Sequence, residues 1–95
     1  MPSKDKAQKR HAIRRIVERF GVDAPNREYE RILQDIRAGR AEFLERQSKR
    51  VSVFSTGISG KPARVWYDKE RHTVVTVYPM DGTVPASDFA ALDAE

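Results

Sequence analysis

Three runs of β-branched and aromatic residues fill the stretch from Arg50 to Pro79: Arg-Val-Ser-Val-Phe-Ser-Thr, Lys-Pro-Ala-Arg-Val-Trp-Tyr-Asp and Arg-His-Thr-Val-Val-Thr-Val-Tyr-Pro. Only Gly57-Ile58-Ser59-Gly60 and Lys69-Glu70 separate them. Val, Thr, Trp and Tyr suit a pleated, half-buried surface, and glycine or charged pairs suit tight connections, so the stretch reads as an antiparallel three-stranded meander. Alternation along each run then sorts side chains onto two faces. Counting by parity puts Val51, Val53, Ala63, Val65, Tyr67, Val75 and Val77 on a core face. The opposite face receives Ser52, Phe54, Arg64, Trp66, His72, Val74, Thr76 and Tyr78. That second set mixes cation, aromatic ring, hydroxyl and imidazole, which makes it the first place to look for function. Ordinary cross-strand packing on a partly exposed sheet is the alternative reading.

The chain before this stretch is helical by period. Ile13, Ile16, Val17 and Phe20 recur at helical spacing from Lys4 to Phe20, and Gly21 provides the stop. His11, Arg14, Arg15 and Glu18 form a polar stripe nearly opposite that apolar one, so His11 is expected on the outside of the helix. After Val22 to Asn26, a second helix is expected with Asn26 as its cap, a stripe of Tyr29, Ile32, Leu33 and Ile36, and Ala38-Gly39 as its close. Ala41 to Arg46 reads as an edge strand. The expected fold class is therefore α+β, with two N-terminal helices followed by a twisted antiparallel sheet of three to four strands. Residues 1–79 form one domain, and 80–95 an acidic tail in which Ser87 is placed to cap a brief helix carrying Phe89 and Leu92.

At 95 residues there is room for one modest core. A charged fraction of 34% and the lack of an apolar run near ~20 residues argue against a membrane span. The start, Met1-Pro2-Ser3-Lys4, leads into charge and not into an apolar signal segment, and there is no cysteine, so the expected location is the cytoplasm. All eighteen Lys and Arg lie in residues 1–71 with ten acids, leaving +8, whereas residues 72–95 hold four acids and no Lys or Arg. Such a basic body fits a polyanionic partner, most often nucleic acid. Arginine outnumbers lysine twelve to six, which favours planar phosphate binding over simple solubility. Two histidines 61 positions apart make a poor metal site, and no glycine-rich phosphate loop opens a helix. Neither metal nor cofactor is expected.

The element His11-Ala12-Ile13-Arg14-Arg15 in the first helix, the strand end Thr76-Val77-Tyr78-Pro79, and Arg71, Val74 and Val75 between them resemble the barnase–colicin–RelE superfamily of small ribonucleases and toxin domains, particularly its small bacterial and phage members. The resemblance covers about residues 8 to 79. It implies metal-independent RNA cleavage, in which the substrate 2′-hydroxyl attacks the adjacent phosphate with help from an acid, a base and cations on the phosphate oxygens. His11, Arg15, Arg64, Thr76 and Tyr78 are the residues assigned to catalysis under it, with His72 as a substitute for His11. Arg14, Arg50, Trp66, Arg71 and His72 are assigned to nucleic-acid binding, Trp66 as a stacking platform for an unpaired base. Two other readings stay open: a noncatalytic nucleic-acid-binding module, and a protein-interaction or inhibitor domain in which Trp66 and the arginines anchor an antitoxin or host factor.

Overall fold

In the computed structural model, residues 4–81 are described. Helices α1 (Lys4–Phe20) and α2 (Pro25–Arg37) precede strands β1 (Glu42–Arg46), β2 (Val51–Ile58), β3 (Lys61–Asp68) and β4 (Thr73–Pro79), which form one antiparallel sheet in the order β1-β2-β3-β4. This is the expected α+β arrangement, including the edge strand. The brief helix expected after Ser87 lies outside the described residues.

Local chemistry sets the element ends. Gly21 and Gly39 adopt φ values of 61° and 76°, a region costly for residues with a Cβ, and so stop the two helices. Helix α2 starts two residues earlier than expected, with Ala24 and not Asn26 at the cap position. Pro25 occupies its first turn, where a missing N–H costs nothing, and Ala24 at the cap makes no side-chain hydrogen bond, so Asn26 lies inside the helix and does not cap it. Strand β2 runs on to Ile58, leaving a two-residue turn of Ser59 (φ 54°) and Gly60 (φ 78°), the positive-φ pair that fits the twist of a hairpin.

That turn corrects the expected faces. Residues paired directly across an antiparallel ladder share a face, and here Phe54 pairs with Val65 and Ile58 with Lys61. Even positions of β2 therefore lie beside odd positions of β3, because the loop between them has an even length. Val51 and Val53 leave the expected core face, and Phe54 joins it. Between β3 and β4 the parity starts as expected, with Arg64 opposite Tyr78 and Val65 opposite Val77. It then slips, since Trp66 faces Thr76 but Tyr67 faces Val74, and Val75 is the extra residue of a β-bulge. Val74 consequently turns to the helices and Val75 away from them.

Two clusters result. One joins Ala12, Ile16 and Phe20 of α1 and Tyr29, Ile32 and Leu33 of α2 to Ile58, Ala63, Val65, Tyr67, Val74 and Val77. The other, on the far side of the sheet, holds Val51, Val53, Trp66 and Tyr78, with Val75 against it. The buried stripe of α1 is rotated from the expected one: Val17 is 44% exposed and Ala12 fully buried. A methyl at position 12 lets the helix axis approach β4, and the counting of large apolar residues alone missed it.

Tyr29 ties the helical layer to the sheet. Its buried hydroxyl accepts the Val74 amide at 3.1 Å. Burial pushes this phenol above its ordinary value, against the opposing effect of the Val74 hydrogen bond. Its contribution to stability is complete below the unfolded value of about 10 and is lost as pH rises through the folded one. Tyr29→Phe should cost about 1–3 kcal/mol at neutral pH, because it strands a buried donor. It should also make stability fall less steeply above pH ~10 than in the parent. Urea unfolding of both proteins at neutral and alkaline pH checks this, and identical pH slopes would refute it.

Candidate functional site

Helix α1 lies along β4, with Gln8 at one end and Arg19 at the other. The Gln8 amide donates to Asp68 Oδ2 at 3.4 Å and accepts from the Thr73 hydroxyl. One guanidinium nitrogen of Arg19 donates to Thr76 Oγ1 at 3.4 Å and to the Val77 carbonyl at 3.1 Å. The same guanidinium sits 3.8 Å from the centre of the Tyr78 ring. Arg19 thus wraps the edge of the sheet from the last turn of α1.

Tyr78 meets Trp66 edge-to-face, with ring centres 5.6 Å apart and planes at 75°. Arg64, directly opposite Tyr78 in the ladder, holds its guanidinium 5.8 Å from the Trp66 ring. Arg19, Tyr78, Trp66 and Arg64 therefore form a row across the face away from the helices in which two cations bracket a pair of aromatic rings. Each such cation–aromatic contact contributes about 0.5–2 kcal/mol, more where water is excluded. Trp66, Thr76 and Tyr78 are 1%, 2% and 4% exposed, so the aromatic part of the row lies beneath other groups.

Of the expected catalytic residues, Arg64, Thr76 and Tyr78 come together, joined by Trp66 from the binding set. His11 is exposed on α1, eight positions before Arg19 and so about 12 Å further along the axis; the helix residue placed on Thr76 is Arg19. Arg15, one turn before Arg19, pairs with Glu18 at 2.6 Å. The remaining expected binding residues divide between two places. Arg14 is exposed on α1. Arg50, Arg71 and His72 gather at the β3–β4 turn around fully buried Asp68, whose Oδ1 accepts the Glu70 and Arg71 amides at 3.0 and 3.1 Å and whose Oδ2 lies 3.3 Å from Arg50 Nε. His72, in a positive-φ conformation, places Nδ1 3.3 Å from the Tyr67 hydroxyl.

Arg19 was missed in the sequence because motif spacing pointed to His11 and Arg15. The available signal was positional: Arg19 is four residues beyond Arg15 and flanks Ile16 and Phe20, where a long side chain can reach past the edge of a sheet. Among the described residues no three His, Cys, Asp or Glu side chains are grouped so as to hold a metal ion, and no helix is long and apolar enough to cross a membrane.

The two α1 arginines should differ in stability. Arg19→Ala removes two hydrogen bonds and a partly desolvated cation–aromatic contact, so a loss of about 2 kcal/mol is expected. Arg15→Ala removes one helix-surface pair and should cost under about 1 kcal/mol. Equal losses on urea unfolding would show that the Arg19 contact contributes nothing particular.

No family model matches the chain, and neither a curated protein nor a solved structure matches it.

Proposed function

We propose that this chain is a nucleic-acid-binding domain that takes phosphates on the outward face of α1. The observation that carries this is where the charge lies. The 17 residues of α1 include seven Lys and Arg against two acids, whereas the 13 of α2 hold three of each. Arg10 and Arg14 are exposed on one face, four positions apart, and neither forms an ion pair among the described residues. Side chains at that spacing are about 6 Å apart, close enough to reach neighbouring phosphates of one strand. His11 lies between them, able to donate to a phosphate or a base edge from either charge state. Counterion release would supply most of the affinity and make it depend on salt. A cysteine-free chain acting on nucleic acid fits the cytoplasm.

Metal-independent ribonuclease activity is the second reading, and one observation favours it. Arg19 and Arg64 flank Tyr78, whose buried hydroxyl has no hydrogen-bond partner among the described residues. Two guanidinium groups beside a phenol would suit a phosphate on which charge accumulates, with the phenol moving a proton. On this reading α1 contributes Arg19 where the resemblance implied His11.

Salt-dependent binding to a single-stranded RNA tests the main proposal. Arg10→Ala and Arg14→Ala should each weaken binding and lower the slope of log affinity against log salt by about 0.7. Affinity indifferent to salt would overturn it. The same samples test cleavage: chelator-resistant cutting that gives 2′,3′-cyclic phosphate ends, spares a 2′-deoxy substrate and is lost in Tyr78→Phe would establish the second reading, and intact RNA would remove it.

A further inference from the structure

The cations of α1 are of two kinds. Lys9 reaches Glu30 of α2 at 3.3 Å and Arg15 holds Glu18 at 2.6 Å, so a cation on each flank of the helix has an acidic partner. At about 100° per residue these two border an outward arc, and Arg10 and Arg14 stand near its crest. Both are exposed, and neither forms an ion pair among the described residues. They diverge by about 40° around the helix axis and stand about 6 Å apart along it. Arg10 therefore leans to the side of Lys6 and Val17, and Arg14 to the side of Ala7 and His11, all four of them exposed. Beside the crest, Ala7 and Val17 are short and apolar. The helix backbone can thus come close to a partner while the two guanidinium groups reach out on either side.

Such a ridge fits a groove walled by phosphates on both sides. An α-helix is about 10–12 Å across with its side chains, and the major groove of B-form DNA is about 12 Å wide. The row from Lys6 to Val17 spans about 17 Å of axis, or about five base-pair rises. The corresponding groove of an RNA helix is too narrow for side chains to read, and single strands are gripped largely by stacking on exposed rings. The ridge carries no such ring. Among the described residues the exposed aromatic side chain is Phe43 of β1, at the opposite edge of the sheet from β4, along which α1 lies.

We propose that α1 enters the major groove of duplex DNA, with Arg10 on the phosphates of one strand, Arg14 on those of the other, and Ala7 and Val17 against the base edges between them. Apolar side chains in that place suit the methyl group of thymine. The inference rests on the nucleic-acid reading above and deepens it by naming the form of nucleic acid.

Fluorescence anisotropy with a short labelled DNA duplex, the RNA duplex of the same sequence and one strand of each tests this on the full chain. At equal salt the DNA duplex should bind several-fold tighter than the other three. Its salt slope should fall by about 0.9 in Arg10→Ala and by as much in Arg14→Ala. Methyl green, which lies in the major groove, should displace the protein, and netropsin, which fills the minor groove, should not. Ala7→Leu adds bulk at an exposed position without changing charge, and it should lower the ratio of duplex to single-strand affinity several-fold while circular dichroism stays that of the parent. If that variant does not fold, the two groove ligands carry the test on the unaltered chain. Equally tight, salt-dependent binding to single strands or to the RNA duplex, displacement by netropsin in place of methyl green, or an unchanged ratio in a folded Ala7→Leu protein would overturn the groove assignment and leave the nucleic-acid reading standing. Affinity indifferent to salt for all of the probes would overturn both.

Discussion

A carboxylate with no solvent exposure, Asp68, fixes the geometry on which the rest depends. Burying such a charge costs several kcal/mol unless its lone pairs are satisfied. Here two backbone amides of the β3–β4 turn satisfy Oδ1, while Gln8 from α1 and Arg50 from the start of β2 reach Oδ2. One side chain thereby sets where β3 stops, how the turn into β4 runs and where the first half of α1 lies. Gln8 passes the constraint on, since it also receives the Thr73 hydroxyl at the first residue of β4. With that end pinned and Ala12 allowing close approach, α1 follows β4, and Arg19 arrives beside Thr76 and Tyr78.

The sheet then serves two layers with different chemistry. Towards the helices it buries aliphatic groups and Tyr67 around Tyr29. Away from them it buries a valine and aromatic cluster edged by arginines. A small domain gains by covering both faces, because at this length one face alone supplies little core. At the other edge, all five residues of β1 are exposed, including Phe43 at 57% and Leu44 at 39%. The register shift between Phe43 and Glu45, with Glu42, Glu45 and Arg46 beside it, disrupts an edge that would otherwise recruit further strands.

How much of this was legible in the sequence depended on the range of the interaction. The helices and their glycine stops follow from spacing and backbone freedom within a few residues, and both emerged as expected. The faces of the strands did not, because parity in one strand constrains its neighbour only through loop length and bulges. The two-residue Ser59-Gly60 turn inverted β2, and the bulge at Val75 inverted the first part of β4. Arg64 and Trp66 nevertheless kept their expected face, since β3 was the reference strand for both neighbours. Thr76 and Tyr78 stayed with them because the slip falls before Thr76 in the chain. Arg19 was hidden for another reason: its place beside Ile16 and Phe20 marks it as lying at the edge of the buried stripe, but what its long side chain meets there is a tertiary contact that local spacing does not encode.

The placement of the arginines bears on how a basic domain of this size keeps a usable charged surface. Arg31 is drawn to Glu28, Asp35 and the Gly57 carbonyl, Arg40 to Asp35, and Arg50 to Asp68, so these cations join elements of the fold. Arg19 and Arg64 each lie on an aromatic ring, which orients the guanidinium, and Arg19 also donates to Thr76 and Val77. Arg10 and Arg14 lie at the surface without an ion pair among the described residues. Releasing a cation of the first two kinds breaks contacts of the fold, whereas Arg10 and Arg14 can exchange water and counterions for another anion at little cost. The cations that are not engaged in the fold are therefore fewer than the eighteen Lys and Arg of the sequence. Arg10 and Arg14 put two of them on the outward side of α1, the helix whose last turn carries Arg19 across the β4 edge.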